Sequence, residues 1–388
     1  MKTLAAASVI PRPALVGIFG GLFSGYLGLA VVIPVLPGFA RESFGATDFA
    51  VGLVVMATAL TALLIRPVSG DLADRYGHRL VMQMGALIVA VGGGLYFLPL
   101  GLTGLIVVRL LLGMGEASLF TAGAVWTVSL APHNRRGQLI GLYGVSMWGG
   151  ISAGTFLGAA LPRFGYGAVW GVSVAAPLVG VMLISSVPAI SHSERPSGGR
   201  GLLLRPALLP GVALALAAGG YAGLAAFVIL HLQARGIHSG AVVLGGFSAV
   251  YAGTRLFIGR LPDQFGPRRV ATWSGIGEAV GLLVIALAPS LPVAVFGSLV
   301  MGVGFSLLHP SLALMVMNLT DKSKQGAAIG AYTSFWDLGL CIWGPVTGLV
   351  ATGFGYPAVF VIGAACATAA VAVALCVRQP NAQPVAVS

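Results

Sequence analysis

Long apolar runs separated by short polar segments make up most of the chain. From Ala14 to Ala40 no residue is charged. At about 1.5 Å per residue, such a run is long enough to cross a hydrocarbon core of about 30 Å. Twelve runs predict an all-α membrane protein with twelve transmembrane helices. They lie near 14–38, 50–69, 80–99, 104–130, 138–161, 167–188, 208–232, 241–258, 270–288, 292–317, 327–350 and 356–377.

Composition excludes a soluble globular protein. Hydrophobic residues make up 57% of the chain and charged residues only 8%, whereas a soluble domain carries roughly a quarter charged residues. Too few charges remain to cover a water-facing surface, so lipid must surround the helices. The first run is followed by further spans, and we therefore expect no cleaved signal peptide.

Lysine and arginine concentrate in every second loop, which predicts the orientation. Fifteen of them fall on one side and three, Arg41, Arg163 and Arg235, on the other. The rich side is predicted to be cytoplasmic, with both termini there, and the protein to lie in the cytoplasmic membrane. Arg66 and Arg255 are assigned to span ends on that side. This distribution accounts for the net charge of +11, so nucleic acid is not an expected partner.

The two halves of the sequence repeat each other. An offset of 189 residues joins Arg66 to Arg255, Gly70 to Gly259, Asp74 to Asp263, Gly77 to Gly266, Arg79 to Arg268, Gly113 to Gly302 and Tyr143 to Tyr332. We therefore predict two pseudo-symmetric six-helix bundles, 1–190 and 207–388, joined by a polar cytoplasmic linker, 191–206. Two such bundles enclose a central cleft and give alternating access by rocking about it, which is the architecture of a secondary transporter.

The segment Gly70-Asp-Leu-Ala-Asp-Arg-Tyr-Gly-His-Arg79 and its copy Gly259 to Arg268 resemble the loop signature of the major facilitator superfamily. The resemblance covers essentially the whole chain and implies a monomeric transporter. It further implies a cytoplasmic gate in which Asp74 docks near Gly326 and Asp263 near Gly137. The alternative is that the loop only fixes topology. The implied gate residues are Gly70, Asp74, Arg75, Gly77, Arg79, Gly259, Asp263, Gly266 and Arg268.

Glycines in the fifth span resemble an antiporter motif of drug exporters. They are Gly141, Gly150, Gly154 and Gly158, although Thr155 stands where that motif has proline. Small residues at four-residue spacing also serve close helix packing. The chain as a whole is most similar to the twelve-span proton-coupled exporters of drugs and metabolites.

Three charged residues inside the spans are candidates for proton coupling. Arg109 and Glu116 share a face of the fourth span, and Asp337 lies deep in the eleventh. A charge within a span costs about 2.5–3.5 kcal/mol or more, so each needs an explanation. By resemblance, Arg109 takes the place of an arginine tied to proton transfer in exporters. The alternatives are a structural ion pair, or an acid neutralised by a buried arginine; for Glu278 we expect a structural role.

Aromatic side chains and one histidine are predicted to line the cavity. They are Tyr26, Trp148, Tyr221, Tyr251, Trp336 and His309. Some of the aromatic residues could instead anchor the protein at the membrane interface. His309 could equally be a packing or hydrogen-bonding group.

The predicted function is proton-coupled export of small organic compounds, with protons and lipid as the other partners. The alternative is proton-coupled transport of an organic anion or sugar, with Arg109 as substrate anchor. A membrane receptor or lipid-handling protein with this fold is a third possibility. Neither a Walker loop, a nucleophile elbow nor a metal-ligand pattern occurs in the sequence, so we expect no enzyme, cofactor, catalytic residue or metal site.

Overall fold

A computed structural model describes residues 12–130, 136–187, 205–237, 239–321 and 325–377. Within these residues every regular element is helical. The helices are α1 (Arg12–Ala30), α2 (Leu36–Phe44), α3 (Asp48–Tyr76), α4 (His78–Leu95), α5 (Gly101–Leu130), α6 (Arg136–Ala160), α7 (Tyr166–Ser185), α8 (Arg205–Ala234), α9 (Ala241–Ile258), α10 (Leu261–Phe265), α11 (Pro267–Leu287), α12 (Leu291–Asn318), α13 (Gln325–Phe354) and α14 (Tyr356–Cys376), with a 3-10 turn at Leu161–Phe164.

The prediction of an all-α membrane protein is confirmed. Twelve helices in the described part of the chain have 18 residues or more, and eleven of them are long and apolar enough to cross a membrane. The twelfth is α6, which is rich in glycine and serine and takes the place of the predicted fifth span.

Two boundaries differ from the sequence prediction. The first span was expected to continue to residue 38, but α1 ends at Ala30 and a turn containing Pro34 leads into α2. The second span was expected to end at residue 69, but α3 continues to Tyr76. The first copy of the signature is therefore mostly helical and breaks at Gly77, whose φ of 98° is one that glycine adopts easily.

The sequence repeat reappears as a repeat of helix packing. Within the first half, α1 packs against α6 and α7, α4 against α5 and α7, and α3 against α5. The second half repeats these pairs as α8 with α13 and α14, α11 with α12 and α14, and α9 with α12. The two halves meet chiefly through α3 with α13 and α6 with α9. The membrane sides are named here by their loops: the arginine-rich side carries Gly77, and the arginine-poor side carries the start of α3.

On the arginine-poor side the halves are tightly packed. Gly52 of α3 lies against Gly344 of α13, and Gly348 lies against the backbone of Asp48. A Cβ atom added to any of these three glycines would come closer than 3.0 Å to backbone atoms of the opposite helix. Only glycine permits backbones to approach this closely, so the crossing closes this side of the cleft.

On the arginine-rich side the halves are apart. Gly141 and Gly144 of α6, Gly253 of α9 and Gly330 of α13 lie toward this side, and a Cβ atom added to any of them would meet nothing within 4 Å. Together with the close contact of Gly52 and Gly344, this open space favours a cleft that opens toward the arginine-rich side.

Most of the predicted linker, residues 191–204, lies outside the described residues, as do both termini. Arg205 and Pro206, which were assigned to the linker, belong to the first turn of α8. The boundaries 1–190 and 207–388 otherwise stay a prediction.

Candidate functional site

Arg66 forms an ion pair between the two halves at the centre of the molecule. Its Nε donates to Oδ2 of Asp337 at 2.5 Å and its Nη2 donates to Oδ1 at 3.1 Å. The side chains of Arg66 and Asp337 are 13% and 2% exposed. Arg66 was assigned to a span end from the sequence, and the structure corrects this. Because α3 continues to Tyr76, Arg66 lies inside the helix and reaches α13.

Glu116 is the second carboxylate beside Arg66. Its Oε1 lies 3.9 Å from Arg66 Nη2 and accepts a hydrogen bond from the hydroxyl of Tyr26 at 3.3 Å. The guanidinium also lies over the ring of Phe120, 5.1 Å from its centroid. We call Tyr26, Arg66, Glu116 and Asp337 the Arg66 cluster. This cluster therefore contains one guanidinium and two carboxyl groups.

Arg109 makes no ion pair within the Arg66 cluster. Its Nε donates to the backbone carbonyl of Val54 at 3.3 Å, and its side chain is buried. It makes no ion pair with Glu116 or any other described residue. Both residues of this helix face contact α3, since Arg66 of α3 reaches Glu116 and Arg109 donates to the α3 backbone.

Four of the six predicted cavity residues lie together. Trp148 and Tyr251 have ring centroids 3.8 Å apart, and Tyr221 and Trp336 have centroids 5.4 Å apart. Tyr221 also contacts Trp148 across the halves, at 6.1 Å. Two further rings of this group, Phe247 and Phe305, were not predicted. Phe247 lies one helical turn from Tyr251 on the same face of α9, and this spacing is a signal that could have identified it. The aromatic cluster consists of Trp148, Tyr221, Phe247, Tyr251, Phe305 and Trp336.

The other two predicted cavity residues lie on either side of this cluster. Tyr26 belongs to the Arg66 cluster. The ring of His309 lies 5.3 Å from that of Tyr332, and its Nδ1 is buried without a hydrogen-bond partner among the described residues. In the same part of the chain, no group of three His, Cys, Asp or Glu residues is placed to hold a metal ion.

A polar contact on the arginine-poor side joins the halves and was not predicted. The Tyr356 hydroxyl donates to Oδ1 of Asp48 at 3.1 Å, and Arg41 Nη2 lies 3.5 Å from the same oxygen. Arg41 Nη1 also donates to the Tyr356 hydroxyl. We call Arg41, Asp48 and Tyr356 the poor-side latch. Arg41 had been noted only as one of three basic residues on that side.

The signature residues lie at the arginine-rich ends of the helices, where equivalent arginines make equivalent contacts. Arg79 donates to the carbonyl of Ser185 at the end of α7, and Arg268 donates to that of Leu375 near the end of α14. Gly77 and Gly266 both have positive φ, while Gly70 and Gly259 lie earlier in each copy. Each of these contacts lies within one half of the protein. In both, the arginine stabilises the carbonyl end of a nearby helix.

The acidic positions of the signature make no contact across the halves here. Asp74, Arg75 and Asp263 are exposed and have no hydrogen bond or ion pair to another described residue. The surroundings of Gly137 and Gly326, the predicted docking points, lie outside the described side chains. The cytoplasmic gate therefore stays a prediction, and this structure shows the arginine-rich side open.

The glycines that resemble an exporter motif form a helix contact. Gly150, Gly154 and Gly158 lie against the α1 backbone, where an added Cβ would come closer than 3.0 Å to the carbonyl oxygens of Phe23, Leu27 and Val31. Gly141, nearer the arginine-rich side, lies beside open space. The α6 glycines therefore join α6 closely to α1 in the half of the helix toward the arginine-poor side.

Glu278 lies away from the central cleft. It is 0% exposed, and neither carboxyl oxygen has a hydrogen-bond partner among the described residues. Its carboxyl group lies beside Gly220 of α8, inside the second half. This position is distinct from the Arg66 cluster.

Comparisons with known proteins agree with this architecture. The family model described as Major Facilitator Superfamily matches residues 18–247 and 211–388. An uncharacterized MFS-type transporter of Burkholderia mallei is 32% identical over 381 residues, covering 95% of this chain and 93% of the relative. A second, from Salmonella typhimurium, is 32% identical over 368 residues, covering 92% of this chain and 94% of the relative.

Three solved structures share the fold at low sequence identity. The human organic anion transporter superposes with a TM-score of 0.70 at 18% identity, covering 94% of this chain and 99% of that chain. The Escherichia coli fucose:proton symporter gives 0.67 at 18% identity, covering 94% and 98%. A nucleoside transporter gives 0.76 at 13% identity, covering 94% and 100%.

Proposed function

The chain belongs to the major facilitator superfamily, and from that premise we propose that it is a proton-coupled secondary transporter that exports small organic compounds. Family membership makes it a membrane transporter and not an enzyme. The proton coupling, the direction and the class of compound are the proposed part.

The observation that carries the proposal is the position of Arg66 between Asp337 and Glu116. Arg66 and Glu116 belong to the first half and Asp337 to the second, so the ion pair joins the two parts that must move. A proton on Asp337 removes the negative charge that attracts Arg66 across the cleft. Protonation therefore changes the relative energy of the two arrangements of the halves, which is what coupling requires.

Export is supported by the resemblance of the α6 glycines to the exporter motif. The exporter-like glycines of α6 pack closely against α1 on the arginine-poor side. The cleft opens toward the arginine-rich side, which the distribution of arginine and lysine predicts to be cytoplasmic. A cytoplasmic compound could thus reach the Arg66 cluster and the aromatic cluster directly. We propose the cytoplasmic membrane as the location, cytoplasmic termini and a monomer as the transport unit.

Transport of an organic anion is the second candidate, favoured by the balance of charge. Arg66 and Arg109 lie inside α3 and α5, and Arg255 lies in the last turn of α9, which makes three arginines against two acids, Glu116 and Asp337. The human transporter with the same fold is described as an organic anion transporter. Arg109, which was expected to anchor the substrate in this alternative, is less suitable for that role, because its Nε already donates to the carbonyl oxygen of Val54.

The test is flux in proteoliposomes under an imposed pH gradient. The proteoliposomes are loaded with compounds from a panel of small acids, amines and neutral aromatic compounds. Their internal pH is followed with a dye trapped inside them. We expect an active compound to move opposite to the protons, and Asp337→Asn to lose the dependence on the gradient. Movement of compound and protons in the same direction would replace export by symport. Transport unaffected by the gradient would remove proton coupling altogether.

A further inference from the structure

The surroundings of Arg66 are repeated around Arg255 in the second half. The two arginines are 189 residues apart, and the same offset joins Phe120 to His309 and Tyr143 to Tyr332. The Tyr143 hydroxyl donates to the carbonyl of Phe120 at 2.7 Å, and the Tyr332 hydroxyl donates to that of His309 at 2.9 Å. The backbone arrangement beside the two arginines is therefore the same.

The acids are the part that is not repeated. At an offset of 189 residues, Phe305 stands where the first half has Glu116, and Trp148 stands opposite Asp337. Arg66 is held by two carboxylates. Arg255 donates only to the hydroxyl of Tyr251, at 2.7 Å, and makes no ion pair with any described residue.

The groups that face Arg255 carry no compensating charge. Tyr251 comes from its own helix, while His309 of α12 and Tyr332 of α13 lie within electrostatic range. All three are uncharged when His309 is neutral, and a protonated His309 would add positive charge. A half-buried guanidinium in this setting favours an anion, because it is poorly solvated and its pairing with a carboxylate is strong.

Arg255 is partly exposed and lies close to the contact between the two halves. Tyr251 stacks against Trp148 of the other half, so Arg255 lies beside the contact between α9 and α6. Gly144 and Gly253, on those same two helices, lie beside open space. The aromatic cluster continues from Tyr251 toward Tyr221 and Trp336 and offers an apolar wall next to the charge.

We propose that Arg255 binds the carboxylate of the transported compound, in the place that Asp337 and Glu116 take beside Arg66, while the aromatic cluster binds its apolar part. The substrate class is thus a small amphipathic organic acid. This inference rests on the proposed transport function and names the chemistry of its substrate.

Binding to the purified full-length chain tests the proposal without any proton gradient. The probes are three aromatic compounds of similar size and different charge: benzoate, benzyl alcohol and benzylamine. Larger acids, indole-3-acetate and naphthoate, extend the panel. Thermal unfolding in neutral detergent is followed with a thiol-reactive dye, since Cys366 is free and buried, and a bound compound raises the midpoint by an amount that grows with the logarithm of its concentration relative to Kd.

The expected result is stabilisation by the acids and not by the alcohol or amine. Arg255→Gln should weaken the binding of the acids about tenfold or more, and Arg255→Lys less. Arg260→Gln is the matched control, because Arg260 is exposed just beyond the end of α9. Lipid vesicles containing phosphatidylglycerol form a separate arm.

Three outcomes would overturn the proposal. They are equal stabilisation by acid, alcohol and amine, unchanged binding in Arg255→Gln, and no stabilisation by any acid of the panel. If only phosphatidylglycerol acted through Arg255, the anion would be a lipid headgroup and the proposed substrate would be wrong. If the acids bound through Arg255 but moved no protons in vesicles, the anion-binding site would be supported and the proposal of proton-coupled transport would be wrong.

Discussion

Arg66 of α3 and Asp337 of α13 are 271 residues apart in sequence and form a two-point ion pair, with N–O distances of 2.5 and 3.1 Å. The planar guanidinium matches the carboxylate, which makes this a strong and directional contact. Because the pair is almost entirely buried, moving the halves apart at this point would leave both charges without their partner.

The first prediction concerns stability. Asp337→Asn leaves Arg66 buried without its main counter-charge, and we expect a loss of about 3–5 kcal/mol in the free energy of unfolding. The double variant Arg66→Gln/Asp337→Asn should regain most of this loss, since neither charge remains. Thermal unfolding of the two variants and of the unmodified protein in one detergent measures the difference. Equal losses in the single and double variants would show that the pair contributes shape and not charge.

The second prediction concerns Glu116, which can lose its charge without breaking the Arg66–Asp337 pair. Glu116→Gln should keep the fold and keep exchange of labelled compound at equal concentration on both sides. It should lose proton movement driven by the compound, because only one acid then remains beside Arg66. Tyr26→Phe is the matched control: it removes a single hydrogen bond to Glu116 worth about 1 kcal/mol, and proton movement should survive. Undiminished proton movement in Glu116→Gln would remove this residue from the coupling site.

The third prediction concerns the poor-side latch. Asp48→Asn weakens the contacts with Arg41 and Tyr356 by about 1 kcal/mol or less, since Arg41 is 39% exposed. We expect faster modification of a single cysteine placed at Phe49, because the arginine-poor side opens more often. Arg163→Gln is the control, since that guanidinium contacts only its neighbour Phe164 in the described residues. If the cysteine were labelled at equal rates with Asp48→Asn and with Asp48 unchanged, these contacts would not be what holds the arginine-poor side closed.

The fourth prediction compares two glycines. Gly344→Ala places a methyl group against the α3 backbone, so the crossing must separate and transport should fall. Gly253→Ala places a methyl group in open space within a helix, so stability should rise by about 0.5–1 kcal/mol. Transport measurements should therefore show a lower rate in Gly344→Ala. Thermal unfolding should show a higher midpoint in Gly253→Ala. A harmless Gly344→Ala would contradict the close crossing of α3 and α13.

The fifth prediction concerns Glu278. It is fully buried without a partner in the described residues, so a charge at this position would be costly. Glu278→Gln preserves shape and neutrality, so the pH dependence of transport should match that of the unmodified protein. The comparison is a series of flux measurements across pH. A changed pH profile would make Glu278 a second proton site.

Several features could be predicted from the sequence because they depend on local properties. Hydropathy and length predicted the twelve long helices, and the largest error was at the end of the first span, where Pro34 begins a turn. The 189-residue offset predicted the repeated packing of α1 with α6 and α8 with α13. Trp148, Tyr221, Tyr251 and Trp336 were predicted, with Tyr26 and His309, to line the cavity, and the structure places the rings of these four together.

The partners of the charged residues could not be predicted in the same way. Glu116 and Asp337 were identified as buried acids, yet Arg66 was taken for a residue at a helix end, because the sequence gives no signal that α3 continues to Tyr76. Arg109 was placed on the same helix face as Glu116, but its hydrogen-bond partner, the Val54 carbonyl of a neighbouring helix, could not be predicted.

The sequence by itself determined that the chain forms a bundle of membrane-spanning helices in two repeated halves, with a few ionisable groups inside. Only the tertiary structure decided that Arg66 lies between Glu116 and Asp337, that Arg255 has no such acids, and that the arginine-poor side is closed. The physical reason is that hydropathy acts on each helix separately. Which side chains meet depends on how each helix is rotated and crossed against its neighbours, and one residue along a helix turns that direction by about 100°.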